Sequence, residues 1–181
     1  MTDPIAAWRT EHAYFGRLLA LLQKQIDVFH RGAPPNYQLM LDIVSYLRDY
    51  TDQFHHPRED VAFARLAKHC PDMALALARL HQEHRVIAKA GETFLGQLQA
   101  VLNGALIPRA EIEVSAATYL VYYGNHIAKE EEDVLARAAE TLTAADWEAV
   151  RTAIPQGQDP LSEDGPEERY RELRRQIALE A

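Results

Sequence analysis

The sequence predicts an all-α protein, an up-down-up-down four-helix bundle with short C-terminal helices. Two observations carry that reading. Glycine and proline are few, 8 and 9 of 181 residues, and they cluster so that the chain between them falls into four long uninterrupted blocks. Within each block, apolar residues recur at steps of three and four, the spacing that lines one face of a helix.

The first block runs from Pro4 to the joint Arg31-Gly32-Ala33-Pro34-Pro35, and its inner stripe is Trp8, His12, Phe15, Leu19, Leu22, Ile26 and Phe29. The second ends at His69-Cys70-Pro71-Asp72 and can place Met40, Val44, Leu47, Thr51, His55, Glu59, Ala62 and Leu66 on one face. The third, closing at Asn103-Gly104, repeats the stripe with Met73, Leu77, Leu80, His84, Ile87, Gly91, Phe94 and Leu98. The fourth carries Ala116, Tyr119, Tyr123, His126, Glu130 and Val134. Each block has roughly 30 residues, about 45 Å of helix, and short joints between rods of equal length make antiparallel neighbours. Residues 1–141 are therefore expected to form the bundle, and 142–181 a helical extension packed on it. In that extension Thr143 reads as an N-cap with Asp146 in the first turn, opening a helix with Trp147, Val150 and Ile154. A linker follows from Pro155 to Pro166, and Tyr170, Leu173 and Ile177 then share one side of a last short helix.

Composition narrows the function. Nineteen Lys and Arg against 27 Asp and Glu leave a net charge of -8, which repels a phosphate backbone and argues against nucleic acid as a partner. A single cysteine, Cys70, excludes an intrachain disulfide and a cysteine-built zinc site. No apolar run is long enough to span a bilayer, and Met1-Thr2-Asp3-Pro4 does not open a signal peptide, so no membrane partner is expected and the cytoplasm is the expected location. Homo-oligomerisation is left open.

Stripes that should be apolar contain His12, His55, Glu59, His84, His126 and Glu130. Burying an ionised carboxylate without a partner costs several kcal/mol, about what few domains can spare, so something must compensate. His55/Glu59 and His126/Glu130 are spaced i, i+4, which sets an imidazole and a carboxylate one turn apart on one face. Such pairs arise often by chance. Depth along the bundle is more telling: measured from one rim at a rise of about 1.5 Å per residue, all six candidates lie about 12 to 19.5 Å in. Mixed nitrogen and oxygen donors in that number exceed one tetrahedral zinc and suit two iron ions. In the arrangement expected, Glu59 and Glu130 bridge, His12 and His55 lie toward one ion, and His84 and His126 toward the other.

At these residues the sequence resembles the hemerythrin-like (HHE cation-binding) family: Glu11-His12, then His55-His56-Pro57-Arg58-Glu59-Asp60, then Gln82-Glu83-His84, then His126 with Glu130-Glu131-Glu132. The resemblance covers about residues 4 to 140. It implies a non-haem di-iron centre, two iron ions (Fe2+/Fe3+) with an oxo or hydroxo bridge, that binds or reacts with O2 or a related small ligand such as NO or peroxide. The same six residues take the family's ligand positions. Oxygen-carrying members add a His-x-x-x-His pair on the third helix and an Asp five residues after the fourth-helix His. Here the third helix has His81 and His84, and position 131 is Glu. These departures point away from transport and toward sensing or redox chemistry, and the leading reading is a role in sensing, storage or detoxification. The alternative is a metal-stabilised helical regulatory or binding module without oxygen chemistry, and the remotest reading is a metal-free interaction protein.

Other residues draw expectations of their own. His81 is a candidate fifth histidine that can equally face solvent. His56, turned about 100° from His55 on an ideal helix, is expected at the surface or behind the ligands. His30 and His69 fall at helix ends as structural residues. Pro57 interrupts the second helix and can aim His55 and Glu59. Of Tyr119, Tyr122 and Tyr123, one can serve a bound ligand while the others pack. Phe15, Phe63 and Ile127 are the candidate apolar wall, and Glu131, Glu132 and Asp133 a solvated face.

Overall fold

The computed structural model describes residues 3–154, 159 and 170–180, and every regular element among them is helical. Helix α1 (Pro4–His30) starts where Asp3 accepts a hydrogen bond from Ile5 N–H and Pro4 occupies the first turn, a position where its missing N–H costs nothing. The second rod is not one α-helix. It consists of α2 (Tyr37–Tyr46), a π-helical stretch Leu47–His55, and α3 (His56–His69). After a 3₁₀ turn, α4 (Ala74–Leu102) forms the third rod. The fourth comprises α5 (Arg109–Lys129), a second π-helical stretch Glu130–Val134, and α6 (Leu135–Thr141). Gly32 and Gly104, both at positive φ, end the first and third rods where a side chain would be strained.

Neighbouring rods run in opposite directions. Arg9, near the start of α1, meets Glu131, whereas His30 at its end approaches Glu113. Asp60 of α3 meets His84 of α4, and Glu83 of α4 meets His126 of α5. Gly91 lets the third rod lie close to the second and fourth: a Cβ there would be 3.0 Å from the Tyr119 ring and 3.2 Å from Arg48 Cδ.

Two apolar clusters fill the interior. The larger is built on Phe15, Leu22, Ile43, Tyr46, Phe94 and Tyr119, and the smaller on Trp8, Phe63, Leu66, Leu80 and Leu135. His12 lies between Trp8 of one and Phe15 of the other, so a polar belt separates them. Helix α7 (Ala144–Ala153) follows with the expected cap: Thr143 Oγ1 accepts from Asp146 N–H while Asp146 Oδ2 accepts from Thr143 N–H. It joins the smaller cluster through Val150 and through Trp147, whose ring meets Trp8 edge-on at 5.4 Å. Helix α8 (Arg171–Glu180) packs on α2, with Tyr170 and Leu173 buried. The Pro155 to Pro166 linker lies outside the described residues apart from Asp159, which accepts a hydrogen bond from Tyr46. No described helix is long and apolar enough to cross a membrane.

Thr143→Ala removes one half of the capping box and is expected to lower unfolding stability by about 1 kcal/mol. Urea melts followed by circular dichroism measure this, with unchanged helicity before the transition.

Candidate metal centre

All six residues singled out by the sequence meet in the polar belt, and all are buried: His12, His55, Glu59, His84, His126 and Glu130 are 5% exposed or less. Glu59 and Glu130 lie at the middle. Glu59 Oε1 is 3.3 Å from His12 Nε2 and 3.1 Å from His55 Nε2, while its Oε2 is 3.5 Å from His84 Nε2. Glu130 Oε1 is 3.1 Å from His126 Nε2 and 3.5 Å from His84 Nε2, and its Oε2 is 3.5 Å from His12 Nε2. Each carboxylate therefore spans both sides of the belt.

The donors divide into two groups that share Glu59. Ligand atoms of His12, His55 and Glu59 lie within 4.8 Å of one another, as do those of His56, Glu59, His84 and His126. His56 corrects the sequence reading. It is buried, its ring stacked on His84 at 4.2 Å and set edge-on to His126 at 5.6 Å. The cause is the π-helical stretch: His56 N–H donates to Thr51 C=O, five residues back. The wider turn rotates successive residues by less than the α-helical step, so His55 and His56 both face inward, toward different groups. Pro57 has no N–H to give to the preceding turn, and Arg58 Nε donates instead to Phe54 C=O at 3.0 Å.

His81 remains outside, about half exposed, with Nδ1 2.8 Å from Asp60. His69 sits at its helix end and bonds Asp146, while His30 at the end of α1 is exposed. Tyr123 OH donates to Thr51 Oγ1, Tyr119 is packed in the larger cluster, and Tyr122 is half-exposed, so no phenol of the three is directed at the donors. Phe15 faces His55 at 4.9 Å and Phe63 stacks beside His84 at 6.2 Å, while Ile127 packs on the edge of the larger cluster.

A second circle of carboxylates was not foreseen from the sequence. Glu11 of α1 accepts from His55 Nδ1 at 2.5 Å, Asp60 of α3 from His84 Nδ1 at 2.8 Å, Glu83 of α4 from His126 Nδ1 at 3.3 Å, and Glu131 from His12 Nδ1 at 2.9 Å. Each rod thus supplies an acid to an imidazole of the next, and the circle closes. Asp52 serves His56 from its own rod, 3.4 Å from Nδ1. A carboxylate only accepts, so the four hydrogen bonds of the circle put a proton on Nδ1 of His12, His55, His84 and His126 and turn Nε2 toward the centre. The signal was present in the sequence: Glu11-His12, Glu59-Asp60, Glu83-His84 and Glu130-Glu131 each pair a donor with an acid. Because adjacent helical residues point about 100° apart, the acid faces the neighbouring rod. Glu131 accordingly leaves the expected solvated face, whereas Glu132 and Asp133 stay exposed.

Electrostatics without a cation is strained toward protonation. Burial opposes a charge on His55, but Glu59 and Glu11 outweigh it and hold its pKa up at about 9. His84 is likewise penalised by burial, yet Asp60, Glu130 and Glu59 raise it to about 11. Burial and the charge on His84 push His56 well below its usual value, leaving it neutral. Glu59 stays well below the usual carboxylate range because its imidazole neighbours, His55 first, overcome the cost of burial.

Whether a cation fits is decided by the buried atoms. Glu59 Oε2, His84 Nε2, His126 Nε2 and both oxygens of Glu130 make no hydrogen bond, although each lies 3.1 to 3.5 Å from an imidazole nitrogen or carboxylate oxygen of the belt. Buried polar atoms are almost always satisfied, and this set has the chemistry of a coordination shell for hard or borderline cations. The hemerythrin HHE cation-binding domain matches residues 3–138. The chain belongs to this family. No curated protein and no solved structure matches it. Within this hemerythrin-type domain, a cation held in the belt would take the place of the protons on the imidazoles around Glu59 and Glu130.

Two outcomes follow. Glu83→Gln and Glu131→Gln, which leave the inner donors intact, are expected to weaken metal affinity about 10- to 100-fold in competition titrations with a chelator. The second concerns pH. At pH 7 His55 and His84 carry protons that a cation must displace, so affinity rises with pH by about tenfold per unit for each proton released. Without metal the sign reverses: the raised pKa values of His55 and His84 contribute stability that is complete below about 6.5 and lost as pH climbs through about 9 and 11. Thermal melts with and without metal across pH 5 to about 10 should therefore show opposite slopes.

Proposed function

We propose that this protein holds two iron ions in the polar belt and binds or reacts with O2 or a related small ligand, NO or peroxide, in sensing, storage or detoxification. His12 and His55 would hold one ion and His56, His84 and His126 the other, with Glu59 and Glu130 reaching both. The single observation that carries this reading is the set of buried donor atoms without hydrogen bonds, gathered from the second, third and fourth rods around two carboxylates, with His12 of the first rod 3.3 and 3.5 Å from them. One cation has no use for five imidazoles and two carboxylates, whereas two six-coordinate ions would take them all and keep a position for an exogenous ligand.

Iron supplies one-electron chemistry and an open coordination position when bound. The remaining work belongs to side chains. Glu11, Asp60, Glu83 and Glu131 hold the Nδ1 protons and orient the rings. Phe15 and Phe63 cover the His55 and His84 sides with apolar rings, which keeps water away and favours small uncharged ligands. Tyr123 is engaged with Thr51, so the interior offers a bound ligand few proton donors, a setting suited to holding a ligand more than to cleaving it.

Anaerobic loading with ferrous iron is expected to give about two irons per chain, and admission of air a near-ultraviolet ferric absorption. His56→Ala should reduce the stoichiometry toward one, while His81→Ala should leave it at two. Equal stoichiometry in both variants refutes the assignment of His56. Metal-dependent melting without any spectral response to O2, NO or peroxide would instead support the regulatory module.

A further inference from the structure

Outside the belt, Asp60 and His81 form a second group of donors with His84. Asp60 follows Glu59, so its side chain turns about 100° away from the belt toward α4, and His81 precedes His84 by three residues, which sets the two imidazoles one turn apart on α4. Asp60 Oδ1 is 2.8 Å from Nδ1 of both rings. Only the His84 contact has the alignment of a hydrogen bond; His81 comes as near without it. One ligand atom from each of the three residues lies within 4.8 Å of the others. Exposure rises outward through the group, from 5% for the His84 side chain to 28% for Asp60 and 55% for His81. Asp60 and His81 also line a cavity of about 310 Å³ between α3 and α4, whose other walls, Phe63, Ala64, Leu77 and Ala78 among them, include no Lys or Arg. At ~30 Å³ per water, that space holds a hydrated ion.

We propose that Asp60 and His81 form an outer site for a divalent first-row transition-metal ion, from which the ion passes to the His84 side of the belt. The first half stands on this group alone, and the second rests on the belt being a metal centre. Comparison with the other acids behind the belt singles out Asp60. Glu11 is bonded to Arg58, Glu83 to Lys129, Glu131 to Arg9, and Asp52 lies 3.8 Å from Arg48, so each of these carries a permanent cation that repels an incoming one. Asp60 is backed instead by an imidazole, itself a metal donor. A carboxylate with an imidazole suits Fe2+, Co2+ or Zn2+ better than Ca2+, which takes oxygen ligands. With two protein ligands and water from the cavity in the remaining positions, binding is weak and reversible, as a site of passage requires. The belt needs such a site, because its donors are 5% exposed or less and offer a hydrated ion no place to shed its water. His84 is the link: its Nδ1 meets Asp60, while its Nε2 lies 3.5 Å from both Glu59 and Glu130.

Equilibrium dialysis of the full chain against Co2+ at about 100 µM, enough to fill a weak site, is expected to retain about one more ion per chain in the wild type than in His81→Ala. His30→Ala, which removes an exposed imidazole elsewhere, should retain as many as the wild type. The difference between the proteins reads the outer site whatever the belt holds, so a shortfall in the belt leaves this result intact. Gel filtration should strip the outer ion and leave wild type and His81→Ala with equal metal. Passage is read by mixing the metal-free proteins with ferrous iron under nitrogen and quenching free iron with a chelator at timed intervals. The belt of His81→Ala should fill about tenfold more slowly, to the same final content. Equal Co2+ in wild type and His81→Ala, or an equal loss in His30→Ala, overturns the site, and equal filling rates overturn its role in loading the belt.

Discussion

Two carboxylates buried in the interior dominate this structure. Glu59 and Glu130 are almost fully buried, and each would cost several kcal/mol, about the whole margin of a small domain, if left charged and alone. Every unusual feature of the belt answers that constraint. Five imidazoles surround the pair, and in the metal-free protein some of them take up protons to balance the charge. Family membership and the unsatisfied donor atoms indicate that a cation is the intended balance. The same groups that stabilise the metal-free protein by holding protons would become ligands by releasing them, which would couple metal affinity to pH.

Geometry at the belt depends on the two π-helical stretches. In an unbroken α-helix, His55 and His56 could not both face inward, and the donor set would lose one imidazole. The widened turns at Leu47–His55 and Glu130–Val134 lie in the second and fourth rods, beside the four donors those rods supply with Glu130. The local disruption is tolerated because apolar clusters grip the rods on both sides of the belt, so the backbone is over-determined where it is least regular.

The circle of acids adds a tie between neighbouring rods. Glu11, Asp60, Glu83 and Glu131 each join one helix to an imidazole of the next, so rod spacing and ring orientation are set by the same hydrogen bonds. Their negative charge also makes the imidazoles better donors to a cation. Arg58 and Tyr50, both bonded to Glu11, and Lys129, bonded to Glu83, hold two of these acids in place from behind.

Much of this was written in the order of residues. The period of apolar positions determined four rods, because a stripe at steps of three and four can be buried only on a helix, and the Gly and Pro clusters determined where they end. The six polar intruders in those stripes identified the belt, since nothing else would put acids there. What the sequence could not determine was any feature requiring a departure from ideal helix or a contact between rods. His56 was expected at the surface or behind the ligands, and the first of these fails because its direction depends on hydrogen bonds five residues long, whereas an α-helical wheel assumes four. Glu131 read as part of a solvated run because its partner, His12, is 119 residues away, brought near only by packing of the first rod against the fourth. Side-chain direction on an ideal helix is a local property legible from spacing; hydrogen-bond register and rod-to-rod contact are decided by the energy of the assembled core.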